Sequence, residues 1–243
     1  MNIYYTIMFF IIGYYLGDLY SVIGYRLPKK NKIIYPSINN DSNKLCLIKL
    51  IPIFNFLILK IGITNILFCL LSGILFMVSY LMFGISIYCL FVLTFISLLL
   101  IIIVSDYYYM IICDEVLIIF LILLMIEIYF IKGINGIVYS TISGIVSFGV
   151  MFIIKLIGDF LFKRESMGGG DIKLLLLFGI VLGLPTSLFT IFMGSIIAFP
   201  VSIISLKSKD NHIIPFGPFL SMAAIILLLF NTTLTSIFRY MLF

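Results

Sequence analysis

Only ten residues in this 243-residue chain carry carboxylates, and five of them gather in two short stretches. Asp106 and Asp114 bracket DYYYMIICD, while Asp159, Glu165 and Asp171 surround the glycine-rich SMGGGDIKLL. Two carboxyls brought close enough to share a proton divide the labour, one acting as a base while the other remains an acid. Such a pair can hydrolyse a peptide bond: the ionised member takes a proton from water and the protonated member polarises the carbonyl. Neither a metal nor a nucleophilic side chain is needed. Gly168, Gly169 and Gly170 carry no Cβ, so the backbone before Asp171 is free to adopt positive φ and another chain can approach it. Asp171 opens the apolar run IKLLLLFGIVLG, which puts it at a helix N-terminus where the macrodipole favours a carboxylate. The plainer reading of GGGD is an interhelical turn with an aspartate N-cap.

The elements that must hold these residues are written in the composition. The chain is 63% hydrophobic and 10% charged, with a mean hydropathy of +1.31, which excludes an ordinary soluble domain. At roughly 20 apolar residues per crossing, seven or eight spans account for most of it. Apolar runs fall at about 3–25, 61–83, 85–104, 116–131, 136–157, 172–184, 187–206 and 216–236. They are punctuated by signals such as Gly84, GING at 133–136 and GLPT at 183–186. The fold expected is an all-α polytopic membrane bundle of about eight transmembrane helices. The first run lacks a basic n-region and a cleavage site, so it reads as a retained span.

Charge sets the orientation. With the N-terminus outside, thirteen of the fifteen Lys and Arg residues lie in or beside cytoplasmic segments, and only Lys132 and Arg239 fall elsewhere. Both acidic stretches then meet the cytoplasmic face, where two helices can present carboxylates at one depth. An ionisable group at that edge is a functional candidate by default. The segment 45–60, interrupted by Lys49, Pro52, Asn55 and Lys60, suits an amphipathic piece on the cytoplasmic surface. The net charge of +5 is too dispersed for a nucleic-acid partner, and membrane lipid is the surface it addresses. Cys46, Cys69, Cys89 and Cys113 form no CxxC pair and read as packed thiols.

MGGGDIKL at 167–174 resembles the GxGD motif of the type IV prepilin peptidases, and DYYYMIICDE at 106–115 resembles their first-aspartate motif. GDLYSVIGYRLP at 17–28 is similar to their N-terminal signature and PFGPFL at 215–220 to their PFGP motif, in the order the family shows. The resemblance implies a bacterial inner-membrane endopeptidase that removes the basic leader of prepilins or pseudopilins after a glycine. It implies Asp106 and Asp171 as the catalytic pair, Gly168 and Gly170 as the glycines of GxGD with Gly169 between them, and Asp114 in a structural or substrate-orienting role. It also implies methylation of the new N-terminus from S-adenosylmethionine, with Gly17, Arg26 and Pro28 marking the substrate or methyl-donor region.

The departures from the family pattern are specific. Its loop often carries two CxxC pairs, whereas residues 29–60 hold only Cys46, so no zinc is expected. Asp18 and Ser21 replace a small residue and an asparagine, and Cys113 replaces a proline. Two regions follow: 1–60, a first span with a reduced loop, and 61–243, a transmembrane peptidase domain. A transporter relaying protons through its carboxyls is the alternative, and a noncatalytic assembly factor another. Nothing in the sequence reports an oligomeric state. His212 reads as a loop histidine, Tyr107 to Tyr109 as interfacial anchors, Gly144 and Gly149 as helix-packing residues. Glu127 stands alone inside the fourth run.

Overall fold

A computed structural model describes residues 2–28, 63–163, 165, 167–207 and 215–230. All of its regular structure among those residues is helical: α1 (Ile3–Arg26), α2 (Ile63–Phe83), α3 (Ile87–Tyr109), α4 (Asp114–Phe162), α5 (Gly169–Leu182), α6 (Leu184–Lys207) and α7 (Gly217–Leu229). Among the described residues five helices are long and apolar enough to cross a membrane. The segment 45–60, the boundary at residue 60, Cys46, His212 and Arg239 lie outside the described residues.

α4 is two helices. Gly133 interrupts it with φ 69 and ψ −167, a conformation that only glycine enters readily. Glu127 in the first half bonds Thr94 of α3. At about 1.5 Å of rise per residue, Thr94 lies on the order of 18 Å along that helix from Asp106. Gly144 in the second half packs on Ile180 of α5, close to the level at which Phe178 meets the edge of Phe95 on α3. The first half therefore runs away from the aspartates, and the second returns toward them. With this reversal the described chain holds eight helical segments, which correspond to the eight apolar runs.

α3 is the axis of the bundle. Its side chains are apolar all round, the pattern of a helix enclosed by others, and Phe95, Ile96, Leu98, Leu99 and Leu100 are fully buried. α1, α2, α4 and α7 pack directly on it. Between helices in lipid the hydrophobic effect gives little drive, so close contact depends on small residues and interhelical bonds. Gly13 and Gly17 form a GxxxG face on α1 that seats against Ser72 and Phe76 of α2, and Ser72 Oγ donates to Gly13 O at 2.8 Å. Tyr20 and Ser97 join α1 to α3 at 2.6 Å. Gly179 of α5 approaches Ser143, Gly144 and Ser147 of α4, and Ser147 bonds Ser187 of α6. Gly149 has nothing within 4 Å of a virtual Cβ, so unlike Gly144 it packs against no neighbour.

These contacts generate two expectations. A methyl at Gly179 would fall 2.6 Å from Ser143 O and Ser147 Oγ. Gly179→Ala should therefore destabilise the protein by about 1–3 kcal/mol in thermal unfolding. Gly149→Ala should leave it unchanged or raise its stability by up to about 1 kcal/mol through helix propensity. Glu127→Gln keeps an acceptor for the 2.7 Å bond from Thr94 and should behave like the wild type. Thr94→Val, which strips a buried carboxyl of that bond, should cost about 1–3 kcal/mol in the same assay.

Candidate active site

Asp106 lies in the last turn of α3, one turn before Met110 closes that helix in the left-handed conformation. Asp171 occupies the third position of α5. Both are buried, 6% and 9% exposed respectively, and the packing of Gly170, next to Asp171, on Ile112 of the turn after α3 puts them at the same end of the bundle. Carboxyls enclosed in this way are kept from lipid by protein on all sides. Asp106 accepts a 3.0 Å bond from the backbone N–H of Gly217, the first residue of α7. Three helices distant in sequence thus converge on one polar point at one end of the bundle.

The glycines before Asp171 act differently from the sequence expectation. None adopts positive φ: Gly168 is extended at φ −64 and ψ 140, and Gly169 and Gly170 already belong to the helix. Gly168 is the N-cap residue, so the aspartate N-cap reading is also corrected. A Cβ on Gly170 would lie 2.9 Å from Ile112 Cδ1, so its missing side chain makes room for the α3–α4 turn, whereas Gly169 faces open space. At Gly170 it is therefore Ile112 of the same chain that takes the space left by the missing Cβ. That contact brings the DYYYMIICD stretch against the helix of Asp171.

Asp114 opens α4 beside this point and binds Lys173 of α5 at 2.6 Å, with both side chains about half exposed. The pair crosses from the first acidic stretch to the second. Tyr107 and Tyr108 are exposed at the same end, and Tyr108 meets Tyr25 of α1 edge-on at 5.3 Å. Arg26, Lys163 and Lys173 share this end by their helix positions, while Lys132 stands next to the Gly133 reversal at the other.

The N-terminal signature lies in a different place. Gly17 is buried against Ser72 and Cys69, where it serves α1–α2 packing. Arg26 ends α1, and Pro28 is the last residue described before residue 63. Cys69, Cys89 and Cys113 are buried thiols. No group of three His, Cys, Asp or Glu side chains converges as a metal-ligand set among the described residues. Gly217 is the site residue that the sequence reading did not single out. Its signal was the PFGP motif, but nothing in sequence order says which atom that motif would meet.

Residues 93–203 match the model of the type IV leader peptidase family, a stretch that contains Asp106, Asp114, Lys173 and the whole GGGD segment. The N-terminal signature and PFGP lie outside it. No curated protein and no solved structure matches the chain. The segment that carries both buried aspartates is thus similar to the type IV leader peptidase family.

Proposed function

We propose that the protein cleaves the basic leader of type IV prepilins or pseudopilins after a glycine at the cytoplasmic face of the bacterial inner membrane, with Asp106 and Asp171 as one catalytic unit. The observation that carries this reading is the burial of two carboxyls, from separate helices, at the same end of the bundle, where Gly170 packs on Ile112. The distribution of Lys and Arg supports that end as the cytoplasmic one.

The chemistry follows from the pairing. Two carboxyls at short range favour a singly protonated pair. The ionised member removes a proton from a water molecule, whose oxygen bonds to the scissile carbonyl carbon while the protonated member donates to the carbonyl oxygen. The tetrahedral adduct then collapses, the C–N bond breaks, and the leaving amine takes a proton from the pair. The position of the dyad at the helix ends suits a substrate whose cleavage point sits just outside its hydrophobic segment. The exposed tyrosines of the same end suit the membrane–water interface.

Cleavage by this pair needs no S-adenosylmethionine, and a following methylation of the new N-terminus rests on the resemblance of the N-terminal signature alone. The transporter alternative is disfavoured by depth. Glu127 is separated from Asp106 by a stretch of α3 that includes the fully buried Leu98, Leu99 and Leu100, which offer no proton carrier.

Two tests follow. Cleavage of a prepilin leader peptide in membranes, read by mass spectrometry, should fall by several orders of magnitude in Asp106→Asn, in Asp171→Asn and equally in the double variant, as expected of groups acting as a unit. A double variant far worse than either single one would separate the two residues and sink the dyad. The Asp114–Lys173 pair, being half exposed, should contribute less than about 1 kcal/mol to stability. Asp114→Lys should nevertheless lower cleavage, and Lys173→Asp in the same chain should restore it; failure of the exchange would give Asp114 a role of its own.

A further inference from the structure

We propose that Gly217 is a positioning residue of the catalytic site: its backbone N–H holds the Asp106 carboxylate, and Asp106 in turn serves as the N-terminal cap of α7. This inference rests on the peptidase reading for its consequence in cleavage, and on geometry alone for the contact.

A helix begins with backbone N–H groups that lack intrahelical partners. In α7 the accounting is short. Phe216 occupies the N-cap position and supplies no side-chain acceptor. Pro218 has no N–H. The amides of Phe219 and Leu220 both bond Phe216 O at 3.1 Å. Gly217 is left as the donor of the first turn without a partner in its own helix, and it is buried. Asp106 Oδ2 accepts from it at 3.0 Å, across 111 positions of sequence. The cap that α7 lacks locally is therefore delivered by α3.

The relation serves Asp106 as well. A carboxylate in the last turn of its own helix sits at the negative end of that helix dipole, an unfavourable place for a negative charge. The N-terminus of α7 brings the opposite field to the same atoms. The bond also fixes the carboxyl plane by engaging Oδ2, which leaves Oδ1 for the reaction. Asp171 needs no such help, since it lies in the first turn of α5.

Glycine is required at 217 by space. A Cβ there would lie 2.5 Å from Asp106 Oδ2 and 3.0 Å from its Cγ, and the carboxyl could not stay where it is. Gly194 of α6 also faces α7, but a Cβ there would meet Leu220 at 3.2 Å, away from Asp106. It provides a control for disturbance of the helix without disturbance of the carboxyl.

The test uses the full chain in lipid nanodiscs and two independent readouts. In hydrogen exchange followed by mass spectrometry, the peptide spanning residues 215–222 should lose about one slowly exchanging amide in Asp106→Ala. Asp106→Asn, which retains an oxygen acceptor, should keep it although cleavage is lost. In cleavage assays Gly217→Ala should lower kcat by about 10²-fold with KM little changed, the signature of a misplaced catalytic group, while Gly194→Ala should cleave at close to the wild-type rate. A slow amide that survives in Asp106→Ala overturns the cap, and wild-type cleavage by Gly217→Ala overturns the positioning role. A wild-type protein that cleaves no prepilin leader removes the peptidase reading and the catalytic role of Gly217 together, whereas exchange still reports the Asp106–Gly217 contact by itself.

Discussion

A carboxyl buried at the edge of a hydrocarbon bundle must be enclosed by protein, and two of them must be enclosed together. That constraint organises this molecule. α3 is surrounded by four other helices, and in its last turn Asp106 faces inward and is buried while Tyr107 and Tyr108 face outward. The short helix α5 places its first turn at the same level. α7 begins there too, with a backbone N–H pointed at Asp106. The polar atoms meet because three helix ends coincide.

The coincidence depends on contacts made far from the aspartates. α5 is held by the close approach of Gly179 to the second half of α4, and that half returns to the aspartate end only because Gly133 lets the chain reverse. α1 is fixed to α2 through Gly13 and Gly17 and to α3 through Tyr20 and Ser97. In a lipid environment such small-residue contacts and single hydrogen bonds replace the hydrophobic drive that would align helices in water. Depth is therefore set by packing along the whole helix, and the site inherits it.

Much of this was legible in residue order. A hydropathy of this magnitude in an ordered series of runs admits little besides a membrane bundle, because backbone groups in lipid must be satisfied within each segment. The eight apolar runs became eight helical segments since Gly84, Gly133 and Gly183 interrupt the pattern, and all three adopt positive φ. The carboxylates stood out for the same reason: in a chain this apolar, an acidic residue has few places where it is tolerated. What residue types could not say was how the glycines of GGGD are used. Positive φ was a fair expectation from glycine's freedom, yet the segment starts a helix, and Gly170 is small because Ile112 lies against it.

The sequence by itself thus determined the class of the molecule and its helical segments, which depend on local composition and periodicity, and it marked Asp106 and Asp171 as candidates because an acidic residue stands out in so apolar a chain. Only the tertiary structure decided which groups surround that pair. Lys173 reaches Asp114 across 59 positions and Gly217 reaches Asp106 across 111. Each partner is chosen by the relative height and rotation of packed helices, quantities that arise from the fit of whole surfaces and leave no mark at the residues themselves. A backbone N–H is the extreme case, because every residue but proline has one, and only the fold determines which of them a carboxylate will meet.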